Sequence, residues 1–364
     1  MKDVKPGFTG ESHPEIFTVA PPQPKEKKPG QMSPEQVKEF FDDGFTHIEN
    51  IFTDEELQPS IDALKRIVDE LAQKLYKAGK IKNLHEDHGF ESRLTMLEQE
   101  WEGAVLLAKK QGKMNKGFQD LWSNEKLLNA VEQLLGPDIA AGSIWQPRPK
   151  IPNHLETSVP MHQDSGYFDH DSYSALVITA WIPFVDTNKE NGCMEFVVGG
   201  HRKGIVGRHK MRAGNAFYIE IDDKEIKETL GVDAQANKRI VEVKKGGVLL
   251  FSNMIPHRSL PNTSNMIRWS LDVRFQRPDR PFGFWGLKNG VTLRSSKDPL
   301  LEPDWDTYNA QDRFKNMKDY ENERLEQKDA EGDEFDTTLT APYFEKWEIE
   351  GTNRHVESYF GKKK

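Results

Sequence analysis

The chain has 364 residues, 36% of them hydrophobic and 30% charged, with a formal net charge of −9. That length suits one large or two small globular domains, and the acidic balance argues against a general nucleic-acid or anionic-membrane binder. The single cysteine, Cys193, excludes a disulfide framework and a multi-thiolate zinc site, and it reads as a small buried hydrophobe.

In chain order, residues 1–31 are rich in Pro, Lys and Glu, lack an apolar signal-peptide core and read as a disordered tail. Ser33-Pro34-Glu35-Gln36 predicts an N-cap, a proline at the first helical position and a capping-box partner. Val37, Phe40 and Phe41 give that helix an apolar face, and Gly44 ends it. A short strand is expected at His47–Phe52. Thr53 with Glu56 forms a second capping box, followed by Leu57, Ile61, Leu64, Ile67, Val68, Leu71 and Leu75 at helical spacing. Further helices are expected over Ser92–Lys110 and Ser123–Leu135, the latter stopping at Gly136-Pro137. No apolar run approaches the ~18 residues needed to cross a bilayer.

The periodicity changes at Ile139. Strands are expected at Ile139–Gln146, Ala175–Phe184, Met194–Val198, Ala216–Ile221, Arg239–Val243, Val248–Phe251 and Met266–Gln276, with a hairpin turn at Lys245-Gly246-Gly247. A block of helices followed by short strands predicts an α+β fold: a jelly roll flanked by helices, occupying residues 32–298. Residues 299–364 form a charged C-terminal extension, whose aromatics Tyr343, Phe344, Trp347, Tyr359 and Phe360 suggest a docked end.

The chemistry concentrates at His162-Gln163-Asp164 and at His257, which follows the apolar run Val248–Phe251. Two imidazoles and one carboxylate on one face of an octahedral iron(II) leave three positions open. His85-Glu86-Asp87 repeats the His-x-Asp spacing but sits in a polar loop and reads as solvated surface. His201, in the Gly199–Gly204 turn, reads as structural. Arg268 opens a strictly alternating strand, with Ile267, Trp269, Leu271, Val273 and Phe275 on one face. Arg268, Ser270, Asp272, Arg274 and Gln276 occupy the other, which lines either the barrel interior or the solvent. From the interior, Arg268 could grip a dicarboxylate with its bidentate fork.

Taken together these residues resemble the phytanoyl-CoA dioxygenase family. The likeness runs in order from Ser33-Pro-Glu-Gln-Val-Lys-Glu-Phe-Phe through Leu135-Gly136-Pro137, Met161-His-Gln-Asp-Ser-Gly-Tyr-Phe168, Ala180-Trp181 and Asn191-Gly192-Cys193-Met194. It continues with Gly200-His201-Arg202-Lys203-Gly204 and His257-Arg258-Ser259, and ends with Arg268. The resemblance implies a double-stranded β-helix with the N-terminal helices on one face. It also implies His162, Asp164 and His257 as ligands of Fe(II). Arg268 would pair with the distal carboxylate of 2-oxoglutarate, assisted by the Ser259 hydroxyl. Trp181 would line the cosubstrate pocket, with ordinary core packing as its alternative, and Gln146 is a further cosubstrate candidate. A helping lysine is implied before the last flanking helix, where Lys109, Lys110, Lys113 and Lys116 remain undistinguished.

The implied reaction hydroxylates an unactivated C–H of a small-molecule or acyl substrate, consuming 2-oxoglutarate and O2 and releasing succinate and CO2, with ascorbate a candidate reductant. Asp164, in place of a small residue, favours hydroxylation over halogenation. The alternatives are a non-redox cupin-type isomerase or hydrolase, and an inactive binding protein of the same fold. Neither nucleic acid nor a membrane span is expected. The ending Gly361-Lys-Lys-Lys364 differs from the Ser-Lys-Leu peroxisomal address, leaving the cytoplasm as the expected compartment.

Overall fold

Local sequence fixes the first elements. In the computed structural model, which describes residues 5–212, 217–287, 290–310, 312–325 and 334–361, the Ser33 hydroxyl accepts from Gln36 N while the Gln36 side chain accepts from Ser33 N. This box starts helix α2 (Pro34–Asp43), which follows the short α1 (Pro14–Thr18) and stops at Gly44 in the left-handed region (φ 95°). The Thr53–Glu56 box starts α3 (Asp54–Lys77) in the same way.

The stretch read as one helix over Ser92–Lys110 is two helices, α4 (Arg93–Glu100) and α5 (Ala104–Lys109). Gly103 between them has φ 104°, and the Glu98 carboxylate accepts from Gly103 N at 2.8 Å and Val105 N at 2.7 Å, capping a new start. Then come α6 (Lys116–Trp122), which the sequence reading missed, and α7 (Glu125–Leu135), capped by Asn124. The backbone of α6 approaches α3 closely at Gly117, where a Cβ would meet Pro59 O at 2.4 Å.

The strands are β1 (Phe45–Ile48), β2 (Ile139–Ala141), β3 (Gln146–Lys150), β4 (Ile178–Pro183), β5 (Met194–Val197), β6 (Lys210–Arg212), β7 (Ile219–Glu220), β8 (Lys238–Val241), β9 (Val248–Ser252), β10 (His257–Ser259), β11 (Arg268–Gln276), β12 (Val291–Arg294) and β13 (Glu348–Glu350). The main sheet runs β1-β9-β4-β11-β2-β12, with β3 also paired to β11, and every pairing in it is antiparallel. A smaller antiparallel sheet, β10-β5-β8, faces its inner side, where Phe196 of β5 stacks on Phe45 at 4.3 Å and meets Phe251 at 5.3 Å. The fold is therefore mixed helix and antiparallel sheet.

Several expectations need correction. The predicted strand at Ile139–Gln146 is broken into β2 and the start of β3. Lys245-Gly246-Gly247 is a turn, with Gly247 N donating to Lys244 O, but it makes no hairpin: β8 pairs with β5 while β9 pairs with β1 and β4, so the chain changes sheets there. Ala216, the expected start of β7, lies outside the described residues, as does part of the 299–364 charged run. Residues 5–31 do not form a disordered tail. Phe17 is fully buried, the Tyr173 hydroxyl donates to Gly7 O, and His13 N donates to Gly204 O. Composition missed this because the apolar partners lie far along the chain.

Strand β11 organises the whole. Every residue in it is buried, on both faces. Its apolar side packs on the helical layer: Trp269 stacks on Phe90 at 5.2 Å and donates its indole N–H to Phe90 O, and Phe275 meets Trp122. Its polar side consequently faces the space between the sheets. Trp269→Ala should cost about 3–5 kcal/mol of stability through lost burial and the cavity left behind. Urea unfolding of the parent and variant checks this, and a loss below about 1 kcal/mol would mean that the helical layer is not packed as described.

Candidate active site

The inward residues of β11 register across antiparallel neighbours. Arg268 lies opposite Lys150, Ser270 opposite Arg148 and Asp272 opposite Gln146 on β3. On β4, Asp272 faces Trp181 and Arg274 faces Thr179. Residues spaced by two share a face, so these three strands present one polar wall.

His162 and His257 are joined across an isolated antiparallel bridge, with His162 N donating to His257 O at 2.9 Å and His257 N to His162 O at 2.8 Å. Each ring uses Nδ1 to donate to a carbonyl two residues earlier, Pro160 O at 2.8 Å and Ile255 O at 3.0 Å. That leaves both Nε2 atoms directed at Asp164 Oδ1, at 3.4 and 3.9 Å. The other carboxylate oxygen, Oδ2, accepts from Thr179 Oγ1 at 2.8 Å and from Arg274 Nε and Nη2 at 3.2 and 3.0 Å. Burial alone would push the Asp164 carboxyl up, but the Arg274 guanidinium beside it holds it well below its ordinary range. Burial likewise lowers His257 to about 3, so its imidazole is neutral and its Nε2 lone pair available.

Among the described residues this is the one group of three or more His, Cys, Asp or Glu side chains whose ligand atoms converge, all within 4.8 Å. Two imidazole nitrogens and one carboxylate oxygen, each oriented by an outer partner, fit a divalent transition metal. The second His-x-Asp pair does not assemble, since His85 Nε2 contacts Glu100 at the surface. His201 is fully buried with Nε2 on Phe41 O, and burial lowers it to about 4.

A small pocket of about 40 Å³ opens beside the triad, walled by Lys109, Lys150, Trp181, Ser259, Arg268 and Asp272 among others. Arg148 pairs with Asp272 at 2.8 Å and Arg274 with Asp164. Three further cations have no carboxylate partner among the described residues. Lys109 donates to the Tyr218 hydroxyl at 2.9 Å, Lys150 to Leu260 O at 2.8 Å, and Arg268 to Ser270 Oγ at 2.6 Å. Arg268 also lies 5.2 Å from the Trp181 ring. Burial lowers all three, Arg268 to about 10, and the neighbouring positive charges add to the effect on Lys150. Arg268 Nε and Ser259 Oγ are buried without a hydrogen-bond partner.

On the other side of the triad lies a larger cavity of about 300 Å³. Gln146 lines this cavity and not the small pocket. Of the four undistinguished lysines, only Lys109 reaches the small pocket; Lys110 borders the larger cavity, and Lys113 and Lys116 are exposed. The sequence reading missed Arg274 as the partner of Asp164, although its place on the polar face of β11 was legible. It also missed Lys150, whose alternation with Arg148 and Gln146 was interrupted by Pro147 and Pro149. The C-terminal segment braces the metal-site turn. Lys346 Nζ donates to Phe168 O at 2.6 Å and to Ser165 O and Gly166 O at 3.3 Å, while Trp347 Nε1 donates to Gly166 O.

The chain belongs to the phytanoyl-CoA dioxygenase family, whose model matches residues 40–270. It is an iron- and 2-oxoglutarate-dependent dioxygenase. A phytanoyl-CoA dioxygenase domain-containing protein 1 homolog of Dictyostelium discoideum is 24% identical over 273 residues, covering 68% of this chain and 92% of that protein. A 1-deoxypentalenic acid 11-beta-hydroxylase of Streptomyces arenae is 27% identical over 183 residues, 47% of this chain and 60% of that protein. The solved non-heme monooxygenase ThoJ shares the fold, with a TM-score of 0.51 at 18% identity, covering 78% of this chain and 98% of that one. No helix among the described residues is long and apolar enough to cross a membrane.

Two outcomes follow from this geometry. Arg274→Met, which keeps volume but removes the partner of Asp164, should weaken binding of a divalent metal roughly 10–100-fold, read by anaerobic titration. Undiminished affinity would show that Arg274 does not set the carboxylate. The second outcome concerns Lys346, which burial lowers to about 7 from its ordinary 10.5, with only Asp169 opposing. Between those values the unfolded chain binds more protons than the folded one, so this group's contribution to stability rises with pH and is lost as pH falls toward 7. The slope is at most about 1.4 kcal/mol per pH unit. The stability difference between the parent and Lys346→Met, measured by urea unfolding at pH 7, 8 and 9, should rise accordingly; a flat difference would contradict the lowered value.

Proposed function

We propose that His162, Asp164 and His257 hold the iron and that Arg268 and Ser259 hold the distal carboxylate of 2-oxoglutarate, in an enzyme that hydroxylates an unactivated C–H of a small molecule. The observation that carries the cosubstrate assignment is the set of three buried cations, Lys109, Lys150 and Arg268, with no carboxylate partner beside the triad. Uncompensated buried charge is costly, and a dianion supplies what the pocket lacks. The unpartnered Arg268 Nε and Ser259 Oγ provide donors for it. Trp181 forms the flat wall against which the Arg268 guanidinium and the ligand chain would rest. Lys109 is the helping lysine, and Gln146 belongs to the substrate side. The two facing sheets are read as a double-stranded β-helix, and the cytoplasm as the working compartment.

Bound iron with 2-oxoglutarate and O2 supplies the oxidising power, giving succinate and CO2 alongside the hydroxylated product. The protein's own part is positional. The Nδ1–carbonyl bonds fix both imidazoles, while Thr179 and Arg274 turn Asp164 Oδ1 toward the metal. The buried wall from Trp181 to Arg268 keeps water from the cosubstrate.

Release of succinate from 2-oxoglutarate, dependent on iron and O2, tests the reaction; metal binding without any succinate release would favour a non-redox enzyme. The cosubstrate assignment is tested at Arg268. Losing one partner of a buried charge pair costs ~2–5 kcal/mol, so Arg268→Ala should weaken 2-oxoglutarate binding roughly 30-fold or more, with iron binding retained. Arg268→Lys should recover only part, because an ammonium cannot form the fork. Titration of anaerobic iron-loaded protein, followed by the charge-transfer band, reads both; an unchanged dissociation constant in Arg268→Ala rejects the assignment.

A further inference from the structure

We propose that the substrate is a compact, largely apolar molecule carrying a carboxylate, and that Arg313 of the C-terminal extension receives that carboxylate. This rests on the oxygenase reading, because it takes the cavity beside His162 and Asp164 as the substrate's.

The cavity of about 300 Å³ stands at the small end of the ~300–1,000 Å³ usual for ligand sites. Its apolar lining includes Ile144, Trp145, Phe284, Leu287, Phe314 and Met317. Three arginines also line it. Two are neutralised, Arg148 by Asp272 and Arg274 by Asp164. The third, Arg313, has no carboxylate partner among the described residues. Its Nε donates to Gln111 O at 2.7 Å and its Nη1 to Trp145 O. Among the described residues no acceptor meets Nη2. The guanidinium carbon lies over Trp145, 3.9 Å from the ring centroid, and 4.9 Å from that of Phe314.

This arrangement fixes the plane of the guanidinium by two carbonyls and an aromatic face while leaving one edge for a ligand. A planar carboxylate is the anion that such an edge matches. Burial pushes Arg313 down to about 10, still far above neutral pH, so the side chain is a cation that the fold has desolvated and not neutralised. Trp145, whose carbonyl accepts from Arg313, directly precedes Gln146 and Arg148 of β3, and all of them line the same cavity as His162 and Asp164. The substrate's apolar body would span between the anchor and the metal, with its acid held at the extension and a C–H at the iron.

Arg313 could instead merely tie the extension to the residues before β3, and the test separates the two. The full chain, loaded with manganese(II) and saturated with 2-oxoglutarate so that the cosubstrate pocket is blocked, is titrated with decanoate and with adamantane-1-carboxylate. Each acid is compared with its primary amide by calorimetry and by indole fluorescence. At least one acid should bind roughly tenfold or more tighter than its amide, as expected for a charge-assisted hydrogen bond. Arg313→Gln should abolish that preference, and Arg313→Lys should keep part of it. If Arg313→Gln does not accumulate as folded protein, the acid-to-amide ratio in Arg313→Lys decides in its place and should fall at least about threefold. No preference for either acid in the parent, including no binding of either, overturns the proposal, as does an undiminished preference in Arg313→Gln. A parent that fails to bind 2-oxoglutarate in the same preparation would instead count against the oxygenase reading.

Discussion

The ion pair between Asp164 and Arg274 is the contact on which the site depends. A carboxylate as buried as Asp164 would ordinarily take up a proton and lose its value as a ligand. The guanidinium prevents that, and with Thr179 it occupies one oxygen so that the other turns to the two imidazoles. A buried ion pair is weak evidence for stability, since desolvation consumes most of its Coulombic gain. Its contribution here is orientation. Arg274 can serve only because β11 turns its polar side inward, and β11 can do so only because its other side is sealed by Trp269, Phe275 and the helices against them. The helical layer is therefore part of the metal site's construction, although it supplies no ligand.

The same strand sets the electrostatics of the small pocket. Arg268 and Arg274 face one way along β11, and Lys150 and Arg148 join them from β3 in exact register. Two anions, Asp164 and Asp272, answer two of these cations, and the remainder stand uncompensated with Lys109. A fold retains such an imbalance when a ligand completes it, because a pocket filled by water alone leaves desolvated cations with nothing in return. Occupancy of this pocket should therefore be coupled to the tightness of the whole inner wall.

Much of this was legible in the sequence because it depends on local chemistry. The capping boxes at Ser33 and Thr53, the alternation of β11 and the isolation of His85 in a polar loop all follow from residues a few positions apart. What stayed hidden depends on which distant segments meet. Alternation placed Arg274 on a polar face, but only the sheet order set that face inward and opposite Thr179. Lys150 was masked by prolines that sit outward on β3, and Lys109 could not be told from Lys110 without knowing how α5 is rotated. The anchoring of residues 5–17 required Gly204, which accepts from His13 N, and Lys346, which accepts from Gly7 N, both far along the chain. The turn at Gly246 looked like a hairpin because periodicity on both sides is strand-like, and periodicity does not report which sheet a strand joins.

The match to the family model ends at residue 270, short of Arg274 and of the residues between Phe284 and Tyr343 that line the larger cavity. The His-Asp-His triad and most of the small pocket's wall lie before that point, and much of the larger cavity's wall lies after it. On the proposed reading, the reaction and its choice of molecule are thus written in largely separate lengths of the chain, although Lys346 and Trp347 bind the two physically at the turn after Asp164. Such a division lets the later segment drift toward new chambers while the chemistry stays intact, provided that the two anchoring side chains persist. One catalytic unit can in this way be fitted with successive linings, each selecting a different molecule for the same oxidation.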